Sequence, residues 1–280
     1  MTTPSSTVQE QQAGSDAVAI AVQGVTKVFN AGRRGELVAL EGIDLGVAPG
    51  EFVSLIGPSG CGKSTLLRLV ADLEIPTSGS IEVNGKPAGR ARLDHDYGMA
   101  FQQAGLFDWR SVAANIELPL ELLGWDRERR RERSRELLDL VHLPDFAGSR
   151  PWELSGGMQQ RVAIARALAM RPGILLMDEP FGALDEMTRE HMQSELVRIC
   201  GETGATVVFV THSIPEAVFL SDRVVVMSAR PGRITEVVDV ALGPRSEQTR
   251  ADERFFSAVT RVRAALRGPG LVGPDEVTSS

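Results

Sequence analysis

The sequence has little of what marks a secreted, membrane-spanning or nucleic-acid-binding protein. It holds two cysteines among 280 residues, Cys61 and Cys200, so neither a disulfide framework nor a cysteine-rich metal site is expected. No apolar run approaches the length that spans a bilayer, and residues 1–16 lack the apolar core of a signal peptide. A net charge of -7 gives no general basic surface for nucleic acid. We therefore expect a cytoplasmic protein without a nucleic-acid partner.

The sequence does have enough apolar material for a large core. Its hydrophobic content of 42% and charged content of 24% predict a single domain with two lobes. Residues 1–16 are rich in Ser, Thr and Gln and are predicted to be a disordered tail.

A phosphate-binding loop follows the apolar run 52–56 and precedes a helical pattern. This strand-loop-helix setting is the one that the Gly-x-x-x-x-Gly-Lys-Ser pattern needs before it predicts nucleotide binding. Backbone N–H groups of such a loop face the phosphates at the N-terminus of a helix. Lys63 would supply a charge to the β- and γ-phosphates, Ser64 a hydroxyl to Mg²⁺, and Thr65 a contact near the α-phosphate. The loop residues are Gly57, Pro58, Ser59, Gly60, Cys61, Gly62, Lys63, Ser64 and Thr65.

Two adjacent carboxylates end a second apolar run, 173–177. Burial in a parallel sheet explains the run, but it does not explain acids at its C-terminal end, where open α/β sheets bind their ligands. Asp178 is the candidate for holding Mg²⁺, and Glu179 is the candidate general base that orients the attacking water. A surface turn with two solvated acids is the alternative. This alternative is less favoured because the same sequence also carries a phosphate loop.

A further motif, Leu-Ser-Gly-Gly at 154–157, makes the chain resemble the ATP-hydrolysing subunit of an ABC transporter over about residues 17–242. The resemblance implies that Ser155, Gly156 and Gly157 hold the γ-phosphate of ATP bound to a second copy of the protein. Gln102 would contact Mg²⁺ and the attacking water and sense the membrane partner. Asp185 would link the two sites.

The same resemblance assigns two further residues. His212 follows the apolar strand 206–211 and matches the switch histidine that contacts the γ-phosphate, and Phe29 matches the aromatic that stacks on adenine. Taken alone, a polar residue after a strand is more often structural than catalytic, and an aromatic near an N-terminal strand is more often part of the core. The motifs gain weight because they occur together and in the family's order.

The signature carries Met158 where the common pattern has Gln. This Met is usual in the branch of importers that handles nitrate, sulfonates and taurine, so the chain resembles that branch. The resemblance implies ATP and Mg²⁺ as cofactors, a paired ATPase subunit, transmembrane permease subunits and a solute-binding protein as partners, and a peripheral position on the cytoplasmic face of the membrane. The solute itself stays unidentified because it does not touch this subunit.

The predicted fold is α/β: a P-loop NTPase core with a mainly parallel sheet, an antiparallel β layer and an inserted helical subdomain. Antiparallel strands are expected near 17–29, 36–47 and 79–84, with a turn at Asn84-Gly85. Alternating strands and helices are expected over 52–73 and 160–226. The domain would cover 17–242, with its helical subdomain at about 104–154, followed by a C-terminal helix and a loose tail over 243–280.

Three further sequence patterns predict features of the surface and of the C-terminal helix. Leu106, Phe107 and Trp109 crowd the segment after Gln102, which indicates a covered surface, and in the family this groove receives a helix of the membrane subunit. The alternative is that these residues belong to the core of the helical subdomain. The mixed-charge run 126–135 favours an exposed helix with i,i+4 ion pairs over a nucleic-acid or lipid site. In 247–266, apolar residues at helical spacing predict a helix that packs on the domain, with a regulatory contact as the less favoured alternative. They are Phe255, Val259, Val262 and Leu266.

Alternative functions remain open at this point. An ABC exporter subunit would carry the same motifs. A soluble ABC protein acting on DNA or the ribosome would usually show a coiled-coil insertion or a second cassette, and a small-molecule kinase would lack the signature. The sequence has one set of motifs, signature included, and neither insertion nor second cassette.

Overall fold

The computed structural model describes residues 18–267. They form ten strands and eight α-helices. The strands are β1 Ile20–Phe29, β2 Leu37–Val47, β3 Phe52–Ile56, β4 Ser78–Val83, β5 Lys86–Pro87, β6 Tyr97–Ala100, β7 Ile174–Asp178, β8 Thr206–Val210, β9 Arg223–Met227 and β10 Ile234–Asp239. The helices are α1 Lys63–Val70, α2 Ala88–Leu93, α3 Val112–Leu122, α4 Arg127–Leu140, α5 Gly156–Ala167, α6 Glu186–Thr203, α7 Ile214–Leu220 and α8 Glu253–Arg267.

A six-stranded sheet forms the centre of the molecule, in the order β10-β9-β3-β8-β7-β6. Its strands are parallel except β10, which pairs antiparallel with β9. The strands β3, β7 and β8 are buried at every position, as expected for parallel strands covered on both faces. The parallel α/β core predicted from the sequence is confirmed.

The antiparallel layer is a separate four-stranded sheet with the order β2-β1-β4-β5. The turn between β4 and β5 is at Asn84 and Gly85, both with positive φ, which is the backbone that a tight hairpin of this sequence adopts. This sheet shares one hydrophobic cluster with α1 and with alternate residues of the central strands, among them Val53, Leu55 and Leu176.

The second face of the central sheet packs against the helical elements. Leu175, Met177 and Phe209 on this face belong to one cluster with α3, α5, α7 and α8. Helix α8 buries Phe255, Val259 and Val262 there, as its periodicity predicts, and Leu266 packs partly buried against the same cluster.

The segment between β6 and the signature contains α3, α4 and two 3-10 helices, Pro144–Phe146 and Pro151–Glu153, so a largely helical insertion is present. The charged run lies on α4, but its ion pairs differ from those predicted. Arg133 pairs with Glu136 at i,i+3 and also donates to the carbonyl oxygens of Leu168 and Ala169. Because its side chain is only 16% exposed, Arg133 joins the helical insertion to the core instead of facing solvent.

Candidate functional site

Four loops that carry predicted site residues leave the same edge of the central sheet. The registers place Leu55 beside Val210, Val210 beside Asp178, and Met177 beside Ala100, so the carboxyl ends of β3, β8, β7 and β6 lie side by side. Loops at this edge are where open parallel sheets bind ligands. The topology therefore brings together residues that are far apart in the sequence.

The phosphate loop wraps tightly from β3 into α1. Gly62 has φ 103°, and a Cβ there would lie 2.6 Å from Leu40 Cδ2, so this position needs glycine on two grounds. Lys63 is 6% exposed and donates from Nζ to the carbonyl oxygens of Gly57 at 2.8 Å and Pro58 at 3.1 Å. The lysine ammonium is thus held inside the loop.

Ser64 and Asp178 meet where α1 faces the end of β7. Ser64 Oγ donates to Asp178 Oδ1 at 2.7 Å. Asp178 is 2% exposed, and this burial raises the pKa of its carboxyl group, while the hydrogen bond from Ser64 acts in the opposite direction. A hydroxyl and a carboxylate side by side form an oxygen-rich pair suited to a hard divalent cation.

Glu179 is the meeting point of the other two polar loops. Its carboxylate Oε2 lies 3.4 Å from Gln102 Nε2 and 3.3 Å from His212 Nδ1. Glu179 has φ 47°, uncommon for a residue with a side chain, and its N–H donates to Val210 O at 3.0 Å. The turn after β7 thereby aims this carboxylate at the loops that follow β6 and β8.

A cavity of about 300 Å³ joins the phosphate loop to this carboxylate. Phe29 and Glu179 both line it, together with several phosphate-loop residues and Gln102. Sequence reasoning missed Arg230, which also lines the cavity and donates from Nη2 to Gly60 O at 3.1 Å. In the sequence, Arg230 is recognisable only as a residue of the turn between β9 and β10. No local pattern indicates that this turn lies beside Gly60.

The signature residues lie elsewhere. None of Ser155, Gly156 and Gly157 lines the 300 Å³ cavity. Ser155 is exposed and caps α5, its Oγ accepting from Met158 N at 3.3 Å, and Gly156 is exposed beside it. Asp185 is likewise an exposed cap, of α6, and the bond from the Thr188 N–H lowers the pKa of its carboxyl group. The chain thus presents these residues outward.

The helix that follows the signature is tied to the loop that follows Gln102. Gln160 is 2% exposed and donates from Nε2 to Phe101 O at 2.8 Å. Arg166 donates to the carbonyl oxygens of Ala104 and Gly105, each at 2.8 Å, and burial lowers the pKa of its guanidinium. Sequence reasoning did not find these links, because they depend on α5 packing against β6.

The aromatic segment after Gln102 is hydrogen-bonded to a buried asparagine of α3. Asn115, fully buried on α3, accepts from the Phe107 N–H at 2.8 Å and donates to Phe107 O at 3.1 Å. The rings of Phe107 and Trp109 lie 4.9 Å apart and are 36% and 73% exposed, whereas Leu106 packs against the core. Two of the three predicted surface residues are therefore exposed.

The Cys61 thiol is fully buried, although the residue contributes its backbone to the phosphate loop. Among residues 18–267, no helix is both long enough and apolar enough to span a bilayer.

Comparisons with known proteins agree with this geometry. The ABC transporter family model matches residues 40–182. The chain is 44% identical to the nitrate import ATP-binding protein NrtD of Synechocystis sp., covering 87% of this chain and 93% of that relative. It is 46% identical to the taurine import ATP-binding protein TauB of Rhizobium johnstonii, covering 85% and 93%.

A solved bacterial ABC transporter cassette, MJ0796, in its dimeric form, matches 79% of this chain and 99% of its own, with 37% identity and a TM-score of 0.74. Another structure of that cassette holds ADP and Pi after hydrolysis. The family match, the identities and the shared fold carry one conclusion: the chain belongs to the ABC transporter family, as an ATP-hydrolysing cassette.

Proposed function

We propose that this protein powers the import of a small solute of the nitrate, sulfonate or taurine class through a multi-subunit transporter. One observation carries the chemical part: Glu179, Gln102 and His212 meet beside the phosphate loop. The import direction and the solute class rest on NrtD and TauB, whose names state nitrate and taurine import.

ATP would bind with its phosphates against the loop N–H groups and Lys63. Phosphate oxygens would compete with the Gly57 and Pro58 carbonyl oxygens for the Lys63 ammonium. Phe29 lines the same cavity and is the proposed stacking partner of adenine. Arg230 joins this set as a cation close to the Gly60 carbonyl.

Mg²⁺ fits the donor set at Ser64 and Asp178. Their oxygens are hard ligands, and Mg²⁺ is usually held by one or two protein groups together with substrate phosphates. Gln102 lines the same cavity as Ser64 and would be a further ligand through its amide oxygen. When bound, the ion neutralises charge that develops on the transferred phosphoryl group.

Hydrolysis would depend on Glu179 as the base that orients water. Gln102 and His212 both contact one oxygen of its carboxylate, which leaves the other oxygen to accept a proton from water. His212 would also contact the γ-phosphate. The contribution of these residues is orientation and charge stabilisation, the usual basis of phosphoryl-transfer catalysis.

Each site would be completed by a second copy of the chain or by a paired ATPase subunit. Ser155, Gly156 and Gly157 are exposed or half-buried and lie outside the chain's own ATP cavity. At the N-terminus of α5, their donors suit a phosphate supplied by a partner. Asp185, at the start of α6, is the proposed link between the two sites.

The exposed pair Phe107 and Trp109 would receive a helix of the permease subunits. A preformed aromatic surface is a favourable anchor because its groups lose little freedom on binding. Through this contact the subunit would lie peripherally at the cytoplasmic face of the membrane. A solute-binding protein would deliver solute on the other face.

Reconstitution with its permease and binding protein in vesicles tests the proposal. Nitrate, taurine and an alkanesulfonate would be offered separately outside the vesicles, with ATP inside. Uptake and ATPase activity stimulated by one of them would support the proposal. ATP-driven efflux, or full activity without any membrane partner, would contradict it.

A further inference from the structure

A line of hydrogen-bonded side chains joins the end of β8 to the segment that precedes α8. Thr211, directly after β8, donates from Oγ1 to Glu216 Oε2 on α7. Glu216 Oε1 accepts from Gln193 Nε2 on α6 at 2.8 Å. Gln193 Oε1 in turn accepts from Arg250 Nη2 at 2.6 Å. We call these four residues the Thr211–Arg250 relay.

The relay is buried over most of its length. Thr211, Gln193 and Glu216 are 1%, 3% and 7% exposed. Buried polar groups are costly unless each finds a partner, so every member depends on its neighbours. Burial raises the pKa of Glu216, and the hydrogen bonds from Thr211 and Gln193 oppose that shift.

Arg250 sets the direction of the relay. A guanidinium can only donate, so it fixes the Gln193 carbonyl oxygen toward itself and the amide nitrogen toward Glu216. Without Arg250 the amide could rotate and place its oxygen against the Glu216 carboxylate. The donor that Glu216 needs would then be lost.

Arg250 itself is held in place. Its guanidinium carbon lies 3.7 Å from the centroid of the fully buried Phe219 ring, and its Nε lies 3.8 Å from Glu190 Oε1. Burial lowers the pKa of Arg250, and the charges of Glu190 and Glu216 act against that shift. The 3-10 helix Glu247–Ala251 therefore delivers a fixed cation to α6.

At its other end the relay reaches the candidate switch histidine. Thr211 Oγ1 also accepts from the Ser213 N–H at 2.9 Å, so the residues on both sides of His212 are tied to one hydroxyl. His212 Nδ1 lies 3.3 Å from Glu179 Oε2. The relay thus fixes the backbone that carries His212 toward the proposed base.

We propose that Arg250 is a positioning residue for ATP hydrolysis, acting through Gln193, Glu216 and Thr211 on His212. The inference rests on the proposed role of His212. It gives the segment before α8 a part in turnover, whereas a purely structural role would make Arg250 an attachment point for α8 and nothing more.

Arg250→Met tests the proposal in the full-length protein, because Met keeps apolar volume over Phe219 and removes the donor. The expected kcat is about tenfold lower. The Kd for ATP should stay within about twofold of the wild-type value, since no relay residue lines the ATP cavity. Arg250→Lys, which keeps a donor, should recover at least about half of the kcat.

The matched control is Arg261→Met on α8. Arg261 donates from Nη2 to Asp239 O at 2.8 Å and so attaches α8 to β10, and no relay residue takes part in this bond. Its kcat should equal that of the wild type. An equal loss of kcat in Arg261→Met and Arg250→Met would overturn the proposal, because loosening of α8 would then explain both.

Gln193→Met keeps the proposal testable if Arg250→Met unfolds. The thioether cannot donate to Glu216, while Arg250 keeps its contacts with Phe219 and Glu190, so α8 stays attached. A similar loss of kcat supports the proposal, and wild-type kcat overturns it.

His212→Ala, measured in parallel, separates the two levels of inference. If His212→Ala hydrolyses ATP normally, the proposed role of His212 fails and the relay loses its purpose. If His212→Ala is inactive while a folded Arg250→Met turns over at the wild-type rate, the positioning proposal alone is overturned.

Discussion

Ser64 Oγ donates to Asp178 Oδ1 at 2.7 Å although the two residues are 114 positions apart. The contact follows from topology: β8 pairs with β3 on one side and β7 on the other, so the phosphate loop and the acidic strand end meet at one sheet edge. One hydrogen bond thereby joins the two motifs on which the nucleotide site depends.

The burial of Asp178 predicts how stability depends on pH. Because burial raises its folded pKa above the unfolded value, the folded chain binds more protons in the interval between them, and the free energy of unfolding falls there as pH rises. Asp178→Asn removes this dependence. The free energy of unfolding of the variant relative to the wild type should rise as the pH increases above about 4, the ordinary pKa of an aspartic acid, as urea titrations would measure.

The control for that measurement is Gln23→Ala, because Gln23 is exposed on β1 and carries no ionisable group. Its effect on the free energy of unfolding should be the same at each pH. If the free energy of unfolding of Asp178→Asn relative to the wild type stays constant or falls as pH rises, the buried carboxylate is not the source of the pH dependence.

Glu179→Gln should slow ATP hydrolysis by about a hundredfold or more while ATP binding persists. The amide keeps the shape of the side chain but cannot accept a proton from water, and no phosphate-loop contact is changed. Single-turnover hydrolysis and equilibrium binding of a fluorescent ATP analogue measure the two effects. Glu82→Gln, at an exposed position of β4, is the matched control and should be fully active. Turnover of Glu179→Gln near the wild-type rate would disprove the assignment.

Phe107→Ser combined with Trp109→Ser should abolish capture by the permease without weakening the fold. Both rings are exposed in the isolated subunit, so little core packing is lost, whereas burial at the centre of a contact contributes on the order of 2 kcal/mol for each anchor. Pulldown with the permease and thermal unfolding of the isolated subunit give the two readings. Phe256→Ser, another exposed aromatic, should leave both unchanged. A clearly lowered Tm for the double variant would argue against docking.

Both cysteines should resist a thiol reagent in the native protein. The Cys61 thiol is fully buried, and burial raises the pKa of the Cys200 thiol to about 12. At pH 8 a group with that pKa is a thiolate in only about one molecule in ten thousand. Absorbance of a disulfide reagent at pH 8 should show reaction of both thiols only in denaturant. Rapid native labelling with loss of ATP binding would contradict the buried position of Cys61.

Sequence reasoning succeeded where a local pattern has one physical solution. Asn84-Gly85 predicted a tight turn, and the spacing of Phe255, Val259 and Val262 predicted the buried face of α8. The family resemblance implied that Gln102, Glu179 and His212 act around one water and one phosphate, and in the structure Gln102 and His212 lie beside the Glu179 carboxylate.

Sequence reasoning failed where the position of a residue depends on packing between elements that are distant in the sequence. The short helix α2 has no apolar periodicity strong enough to predict it. The approach of Arg230 to Gly60 requires β9 beside β3, and the contact of Arg250 with Gln193 requires the segment before α8 to lie on α6. No local pattern records such neighbours.

The mass of Glu179→Gln with and without ATP tests most directly the proposal that ATP is held between two copies of the chain. Slow hydrolysis should trap the ATP state, so light scattering with ATP should give twice the mass of one chain. Adding Ser155→Arg to Glu179→Gln should keep the Kd for ATP and yield only monomer, because the signature would act on nucleotide bound to the partner. A dimer that persists in the double variant, or a Glu179→Gln protein that stays monomeric at saturating ATP, would contradict the account.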